Sequence, residues 1–331
     1  MSLDLSTLTN APRVLIEAEL QPLQGTRFQP TGFPEIGAAQ YEGPDGTQML
    51  LVESPQSMAN RMESVCWDTI ADDWVPPLKG LSVVKVIDKD GKPLTNSVLE
   101  AHRLNSEYIA GSVDFKPIED AINHQKDRPF SIRDQLVPVL LDFDINSLIH
   151  GIFLEEIAGV IRLPRALSGF IEASSVAVAS SGGVKKGIEP GKKGGEGNVI
   201  FPRDEFVSPD IRAYFSIDLS QFRSYGFSEN VYRLLIALSF YKIRAFLETG
   251  LRLRTACDLA CENIIVTRPD DFAIPELSEL EAALPSLIET ASSDADFQVT
   301  TVRRGAGSKR TKKETDKSQE GASTKDNNED E

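Results

Sequence analysis

The stretch Leu50-Leu51-Val52-Glu53-Ser54-Pro55-Gln56-Ser57-Met58-Ala59-Asn60-Arg61-Met62-Glu63 changes character at its middle. The apolar run Leu50–Val52 reads as a buried strand, and the residues from Pro55 onward read as a helix. Ser54 is a good N-cap, because its hydroxyl can accept from an orphan backbone N–H. Pro55 suits the first helical position, where no N–H is needed. Met58, Met62, Val65, Cys66 and Thr69 then recur at helical spacing and form an inward face.

Ser57, Asn60, Arg61 and Ser64 fall at i, i+3, i+4 and i+7 and share a second stripe. They lie at and just beyond a helix N-terminus, whose free N–H groups and partial positive charge attract anions. Two readings stand: a phosphate cradle with Gln56 beside it, or an ordinary solvated helix face.

Toward the N-terminus, Arg13–Leu20 alternates as a first strand, with Val14, Ile16, Ala18 and Leu20 on one side and a loose arm, Met1–Pro12, before it. Gln24–Pro34 is rich in Gly and Pro and reads as a loop. Its Arg27 and Phe28 suit a phosphate and a stacked base, or else Phe28 and Phe33 pin the loop to the core.

Toward the C-terminus, Leu81–Ile87 is strand-like and Asp88–Pro93 is turn chemistry, which predicts a hairpin or finger over residues 82–110. Ser112–Pro129 reads as a helical or loop insertion. Val137–Asp144 resembles a strand. Arg162 and Arg165 flank Pro164 at an expected helix start, a placement that suits an anion. Ser175–Ser180 reads as a strand. Residues 181–198 form a glycine-rich segment with Lys185, Lys186, Lys192 and Lys193, either a basic flap or a flexible surface loop, without the Walker A pattern. Ala213–Leu219 is a strand, Ser228–Glu248 the strongest helix, Leu251–Thr255 and Ile264–Thr267 further strands, and Glu276–Thr290 a last amphipathic helix. Residues 292–331 are polar and mixed in charge, and disorder is expected there. The order of elements predicts one α+β domain over residues 13–291, of ferredoxin-like type with insertions and helices on one face of the sheet.

The 331 residues suffice for one large core or two small ones. With 35 basic and 50 acidic side chains the net charge is −15. That argues against nucleic-acid binding through bulk charge, so any such site must be a local basic groove. No apolar run is long enough to span a membrane and no signal-peptide core is present. Three cysteines, Cys66, Cys257 and Cys261, make no disulfide framework, and a cytoplasmic protein is expected. His102, His124 and His150 have no zinc spacing, and no hydrolase or dinucleotide fingerprint appears. Asp142 and Asp144 are expected to brace a turn rather than hold a metal. The expectation is therefore no catalytic residues, no metal, no cofactor and no enzymatic activity.

Five segments carry a resemblance: Gly25–Pro34, Val52–Arg61, Glu100–Leu104, Leu163–Gly169 and Leu251–Leu259. In this order they resemble the backbone subunit of type I-G (formerly I-U) CRISPR Cascade effector complexes, of the RAMP superfamily. The resemblance runs from about Arg13 to Leu287. It implies an RRM-like palm with an inserted β-hairpin thumb, either residues 82–110, preferred here, or part of 181–198. It implies a non-catalytic subunit that binds CRISPR RNA, stacks head-to-tail with copies of itself and other Cascade subunits, and presents the guide to target DNA in antiviral defence. The RNA-binding residues expected on this reading are Arg27, Phe28, Gln56, Ser57, Asn60, Arg61, Arg162, Arg165, Lys185 and Lys186. The alternative is a RAMP-superfamily ribonuclease acting on guide or target RNA, through Asp142 and Asp144 or through His150.

Overall fold

A computed structural model describes residues 3–33, 36–125, 127–155, 161–188 and 196–304. Its principal elements, in chain order, begin with β1 (Arg13–Pro22), β2 (Gln48–Glu53) and α1 (Pro55–Ser64), then β3 (Val83–Ile87), β4 (Pro93–Asn96) and α2 (Glu107–Ala110). Next come α3 (Val137–Phe143), α4 (Ile145–His150), β5 (Ile152–Leu154), β6 (Ile161–Leu163) and β7 (Leu167–Ser174). The chain continues through β8 (Ala177–Ile188), β9 (Glu196–Val207), β10 (Asp210–Asp218) and α5 (Glu229–Thr249). It closes with β11 (Arg252–Arg254), β12 (Cys257–Arg268), α6 (Leu277–Ala291) and β13 (Val299–Arg303).

The protein is mixed α+β, built on a seven-stranded antiparallel sheet ordered β11-β12-β1-β10-β7-β2 with Gln40–Glu42 at the edge. Strict alternation explains the layers. Val14, Ile16, Ala18 and Leu20 of β1 are buried, as are Leu167, Ile171 and Ala173 of β7 and Ile211, Ala213, Phe215 and Ile217 of β10. Period-2 side chains share one face, and that face is covered by α1 and α5. Helix α1 starts as its sequence dictates: Ser54 Oγ accepts the Ser57 N–H at 3.3 Å, Pro55 occupies the first turn, and Met58 and Met62 are fully buried. On α5, Ser228 Oγ accepts the Val231 N–H, and the buried side includes Leu234, Leu238 and Phe246.

Several expectations need correction. Val137–Phe143 is a helix, not a strand, because its continuous apolar run packs as a helix with Pro138 in the first turn. The residues after Arg162 form strands: β6 ends at Leu163 and β7 begins at Leu167. The N-terminal arm is docked, with Leu3, Leu5 and Leu8 in the core. The hairpin at 83–96 is rooted in the core, with residues 89–94 exposed at its tip. Val83, Val84, Val86 and Asn96 are buried, and β13 pairs alongside β3 in parallel. That pairing also corrects the polar tail at its start, since Val299–Arg303 is a strand with Val302 fully buried. Residues 305–331 lie outside the described residues. The glycine-rich segment is a hairpin rather than a loop over its described part. Ala177–Ile188 pairs residue by residue with Glu196–Val207, and only Arg27–Phe28 joins it, opposite Val207 and Phe206.

No helix among the described residues is long and apolar enough to cross a membrane.

Candidate nucleic-acid interface

Two surfaces compete for a polyanion. The first is the open face of the sheet, opposite the helices. There Phe170 and Tyr214 stack at 5.1 Å between ring centroids, as their register across β7 and β10 requires. Around them stand Glu17, Glu19, Glu172 and Asp210. The cation Arg212 is shared among Asp210 at 2.9 Å, Glu17 at 3.3 Å and Glu19 at 3.3 Å. Four carboxylates against one neutralised arginine repel a phosphate chain, so the aromatic pair is no RNA platform.

The second is a cavity of about 800 Å³ beside the first turn of α1. Its wall combines Gln56 from the first turn of α1, the segment His102–Asn105, His150 and Gly151 at the end of α4, Phe153 of β5, and Arg162 and Arg165. The strand pair β5–β6 sets Phe153 directly opposite Arg162, whose guanidinium stacks 4.3 Å from the ring centroid. Arg165 follows on the link from β6 to β7 and is exposed. Burial and the nearby Arg103 lower its pKa, but an arginine remains a cation. Glu107 and Glu155 also line the wall, so the positive charge is concentrated on the Arg162–Arg165 side.

Gly151 makes this wall possible. Its φ is +74°, and a Cβ there would stand 2.6 Å from the Leu163 carbonyl oxygen and 2.9 Å from the Arg165 backbone nitrogen. Only glycine tolerates both the backbone angle and the close approach that seats Arg165. Beneath the wall the His150 imidazole is 1% exposed, and neither ring nitrogen has a hydrogen-bond partner among the described residues. Burial, with Lys242, Arg103 and Arg165 nearby, holds its pKa well below the usual histidine range, so it is neutral at pH 7.

Of the ten expected RNA-binding residues, the cavity gathers Gln56, Arg162 and Arg165. Ser57 and Asn60 are half-buried on α1 and do not line it. Arg61 is corrected: its guanidinium donates to the Leu253 carbonyl and sits 3.4 Å from the buried Glu53 carboxylate, which also pairs with Arg254. That arginine braces α1 against β11. Phe28 is corrected too, being 1% exposed and packed in the core, where no base can reach it. Arg27 is exposed at the base of the long hairpin, with Glu205 at 3.4 Å. Lys185 and Lys186 fall opposite Val199 and Asn198 on the hairpin backbone, and their side chains lie outside the described residues. Sequence reasoning did not assign His102, Arg103 or Asn105 to the site. The signal was the segment Glu100–Leu104, which carries part of the resemblance.

The described surface therefore combines an acidic sheet face with a separate cavity lined by Arg162 and Arg165. Residues 14–178 match the family described as CRISPR-associated protein GSU0053 (Cas_GSU0053). The match places this stretch, and with it every segment of the cavity wall, in a CRISPR-associated family of the Cas7/RAMP type. No curated protein sequence matches the chain. Among solved structures, a chain of a "CRISPR RNA-guided surveillance complex, pre-nicking" is 13% identical, with a TM-score of 0.43, over 89% of this chain and 96% of that one. A chain of a "CRISPR RNA-guided surveillance complex" is 12% identical, with a TM-score of 0.34, over 85% and 82%. The crystal structure of Thermofilum pendens Csc2 is 12% identical, with a TM-score of 0.30, over 97% and 80%.

Proposed function

We propose that this chain is a non-catalytic backbone subunit of a type I-G CRISPR effector complex, which holds CRISPR RNA by its phosphates. The observation that carries the reading is the convergence of Gln56, Arg162 and Arg165 on one cavity within the family-matched stretch. Arginines position a phosphate chain without reading its bases, which a carrier of variable guides needs. The central strand order β12-β1-β10-β7, with α1 and α5 as crossovers, supports an RRM-like palm. The thumb in this reading is the β8–β9 hairpin, whose two twelve-residue arms pair along their whole length, instead of β3–β4. Copies stack head-to-tail along the guide in the cytoplasm as an open filament, other Cascade subunits joining it, and present the guide to target DNA.

The ribonuclease reading fares less well. Asp144 is enclosed, accepting from Ser97 Oγ at 3.1 Å and from Ser147 Oγ, and Asp142 accepts the Asp296 N–H at 3.1 Å. His150 is enclosed as well. Asp144 is closed off by these bonds, whereas Asp142 is half-buried and His150 borders the arginine cavity, so cleavage is decided by the test below.

The test is purification of the full chain with its guide locus co-expressed, followed by the 260/280 absorbance ratio and sizing of extracted RNA. RNA of uniform length is expected. A protein that carries none, and binds none when guide RNA is added, overturns the proposal. Labelled guide precursor and target RNA should stay intact with and without Mg²⁺; cleavage abolished by Asp144→Asn or His150→Gln would establish the ribonuclease instead.

A further inference from the structure

The last residue of α4, His150, sits where two backbone contacts pin the chain to the link that carries Arg165. On one side the Ile149 carbonyl accepts the Ala166 N–H at 2.9 Å, and on the other Gly151 packs against the Leu163–Arg165 backbone. Between them His150 is 1% exposed and lines the arginine cavity. The helix is anchored in turn by Tyr225, whose hydroxyl donates to the Leu148 carbonyl at 2.9 Å. Backbone contacts therefore hold His150 and Arg165 in fixed relation on one wall.

The polar groups around His150 are committed elsewhere. Arg103 donates to Glu63 and to the Gly151 carbonyl, Asn105 accepts the Glu155 N–H at 3.1 Å, and Lys242 donates to Asn146 at 2.6 Å. Neither imidazole nitrogen has a partner among the described residues. A buried polar group in that state is costly, and on a cavity wall it points to a ligand that supplies the missing partner.

Charge narrows what that ligand offers. Lys242, Arg103 and Arg165 stand near the ring, and with burial they keep it neutral at pH 7. A neutral imidazole presents one N–H and one bare nitrogen. A phosphate oxygen only accepts, and it finds stronger donors in Arg162 and Arg165 on the same wall. A hydroxyl both donates and accepts, so it serves either nitrogen whichever tautomer is present. On a nucleic-acid strand the hydroxyl that accompanies each phosphate is the ribose 2′-OH, which DNA lacks. A cavity of about 800 Å³ has room for a ribose together with its phosphate.

We infer that His150 selects RNA over DNA in this cavity, its imidazole hydrogen-bonding the 2′-OH of the bound nucleotide. The inference rests on the proposed RNA-binding function. Arginine–phosphate contacts do not distinguish the two strands, so the preference comes from this bond, and one net hydrogen bond of ordinary strength gives a ratio of about three- to tenfold.

The experiment measures binding of the full chain to three short single strands with the same bases. They are RNA, its 2′-deoxy counterpart with uracil retained, and its 2′-fluoro counterpart, which keeps the sugar pucker of RNA without the hydroxyl. Wild type is expected to bind RNA about three- to tenfold tighter than either analogue. H150L should weaken RNA binding to the level of the analogues and leave theirs unchanged. H150Q, which keeps a donor and an acceptor, should retain part of the preference. Equal binding of all three strands by wild type overturns the inference, as does 2′-fluoro binding equal to RNA. So does an H150L chain that keeps the wild-type ratio or weakens all three alike. If H150L does not fold, ring-nitrogen NMR of the wild-type chain labelled with ¹⁵N-histidine takes its place. The chain has three histidines, so the H102Q/H124Q variant assigns the His150 resonances. They should move on adding RNA and not on adding the 2′-deoxy strand; a like response to both, or to neither, overturns the inference. A chain that binds none of the strands fails the RNA-binding reading itself, whereas binding that depends on Arg162 and Arg165 with no preference for the hydroxyl fails only the role of His150.

Discussion

Glu63 on α1 and Arg103 beside the cavity form a two-pronged buried ion pair. Arg103 Nε donates to Glu63 Oε1 at 2.6 Å and Nη2 to Oε2 at 2.9 Å, while Nη1 donates to the Gly151 carbonyl at 3.0 Å. Asn146 also donates to Glu63 and accepts from the buried Lys242 Nζ at 2.6 Å. One guanidinium therefore joins α1, the cavity wall and the bend that seats Arg165. Arg103→Met leaves the Glu63 carboxylate buried with less compensation and should cost about 3–5 kcal/mol of stability. Adding Glu63→Gln should recover part of that loss. Denaturant unfolding of the two variants decides it, and a loss under 1 kcal/mol for Arg103→Met (roughly the worth of an exposed pair) would show that the pair is not the joint described.

Arg61 and the Arg162–Arg165 pair separate bracing from binding. Arg61→Ala strips one partner from buried Glu53 and frees the Leu253 carbonyl, so it should lower stability by about 1–3 kcal/mol. Its RNA affinity, per folded molecule, should stay within about threefold, a free-energy change well under the 1.4 kcal/mol of a tenfold change. Arg162→Ala with Arg165→Ala should do the reverse, weakening RNA binding about tenfold and lowering the salt slope by about 1.4 with little change in melting temperature. Filter binding and thermal melts on the same preparations test both, and an Arg61 variant that loses RNA while keeping its stability would reinstate the helix stripe as the contact surface.

What the sequence made legible was periodic. β1, α5 and α6 stand within about two residues of their expected bounds because alternation and helical spacing are local signals, while α1 starts at Pro55 as expected but ends at Ser64, short of the expected Val65, Cys66 and Thr69. Val137–Phe143 was ambiguous for the same reason: a short continuous apolar run looks alike as a buried strand and as a buried helix. Phe28 beside Arg27 resembles a base-stacking pair, and nothing local says that Phe206 will lie opposite it in the core. Arg61 falls on the expected stripe, yet its partners, Glu53 and the Leu253 carbonyl, come from two strands far apart in sequence. The glycines of 181–188 suggested a loop, whereas each residue finds a partner across the hairpin. The cavity itself was legible only in pieces, because Gln56, Arg162 and Arg165 meet through the fold.

Two buried titrations give opposite pH slopes. Burial pushes the Asp144 carboxyl up to about 7, partly offset by the Ser147 hydroxyl, from 3.8 in a free chain. Between these values the native state holds a proton that the unfolded chain has lost, so this residue lowers stability as pH rises, and its effect levels off above about 7. His150 acts in reverse: the unfolded imidazole protonates below 6.5 and the native one does not, so its contribution is lost as pH falls below 6.5. The two partly cancel in wild type. Asp144→Asn removes the first term alone, so the variant's melting temperature relative to wild type should rise from pH 5 to pH 8, by the equivalent of about 1–3 kcal/mol. A difference that is flat across that range contradicts the assignment.

Gly151→Ala tests whether the cavity depends on backbone placement as well as on charge. The alanine would hold a φ of +74°, with its Cβ 2.6 Å from the Leu163 carbonyl oxygen and 2.8 Å from the Pro164 carbonyl carbon. Neither contact is with a flexible side chain, so the backbone at Leu163–Arg165 must shift. A strained backbone of this kind costs about 1–3 kcal/mol, and the shift carries Arg165 off its seat although no functional group has been removed. RNA affinity should therefore fall toward that of Arg165→Ala, and combining the two substitutions should weaken binding by less than the product of their separate effects, since both act on one side chain. Full multiplicativity in that double mutant would mean that Gly151 and Arg165 serve the cavity independently.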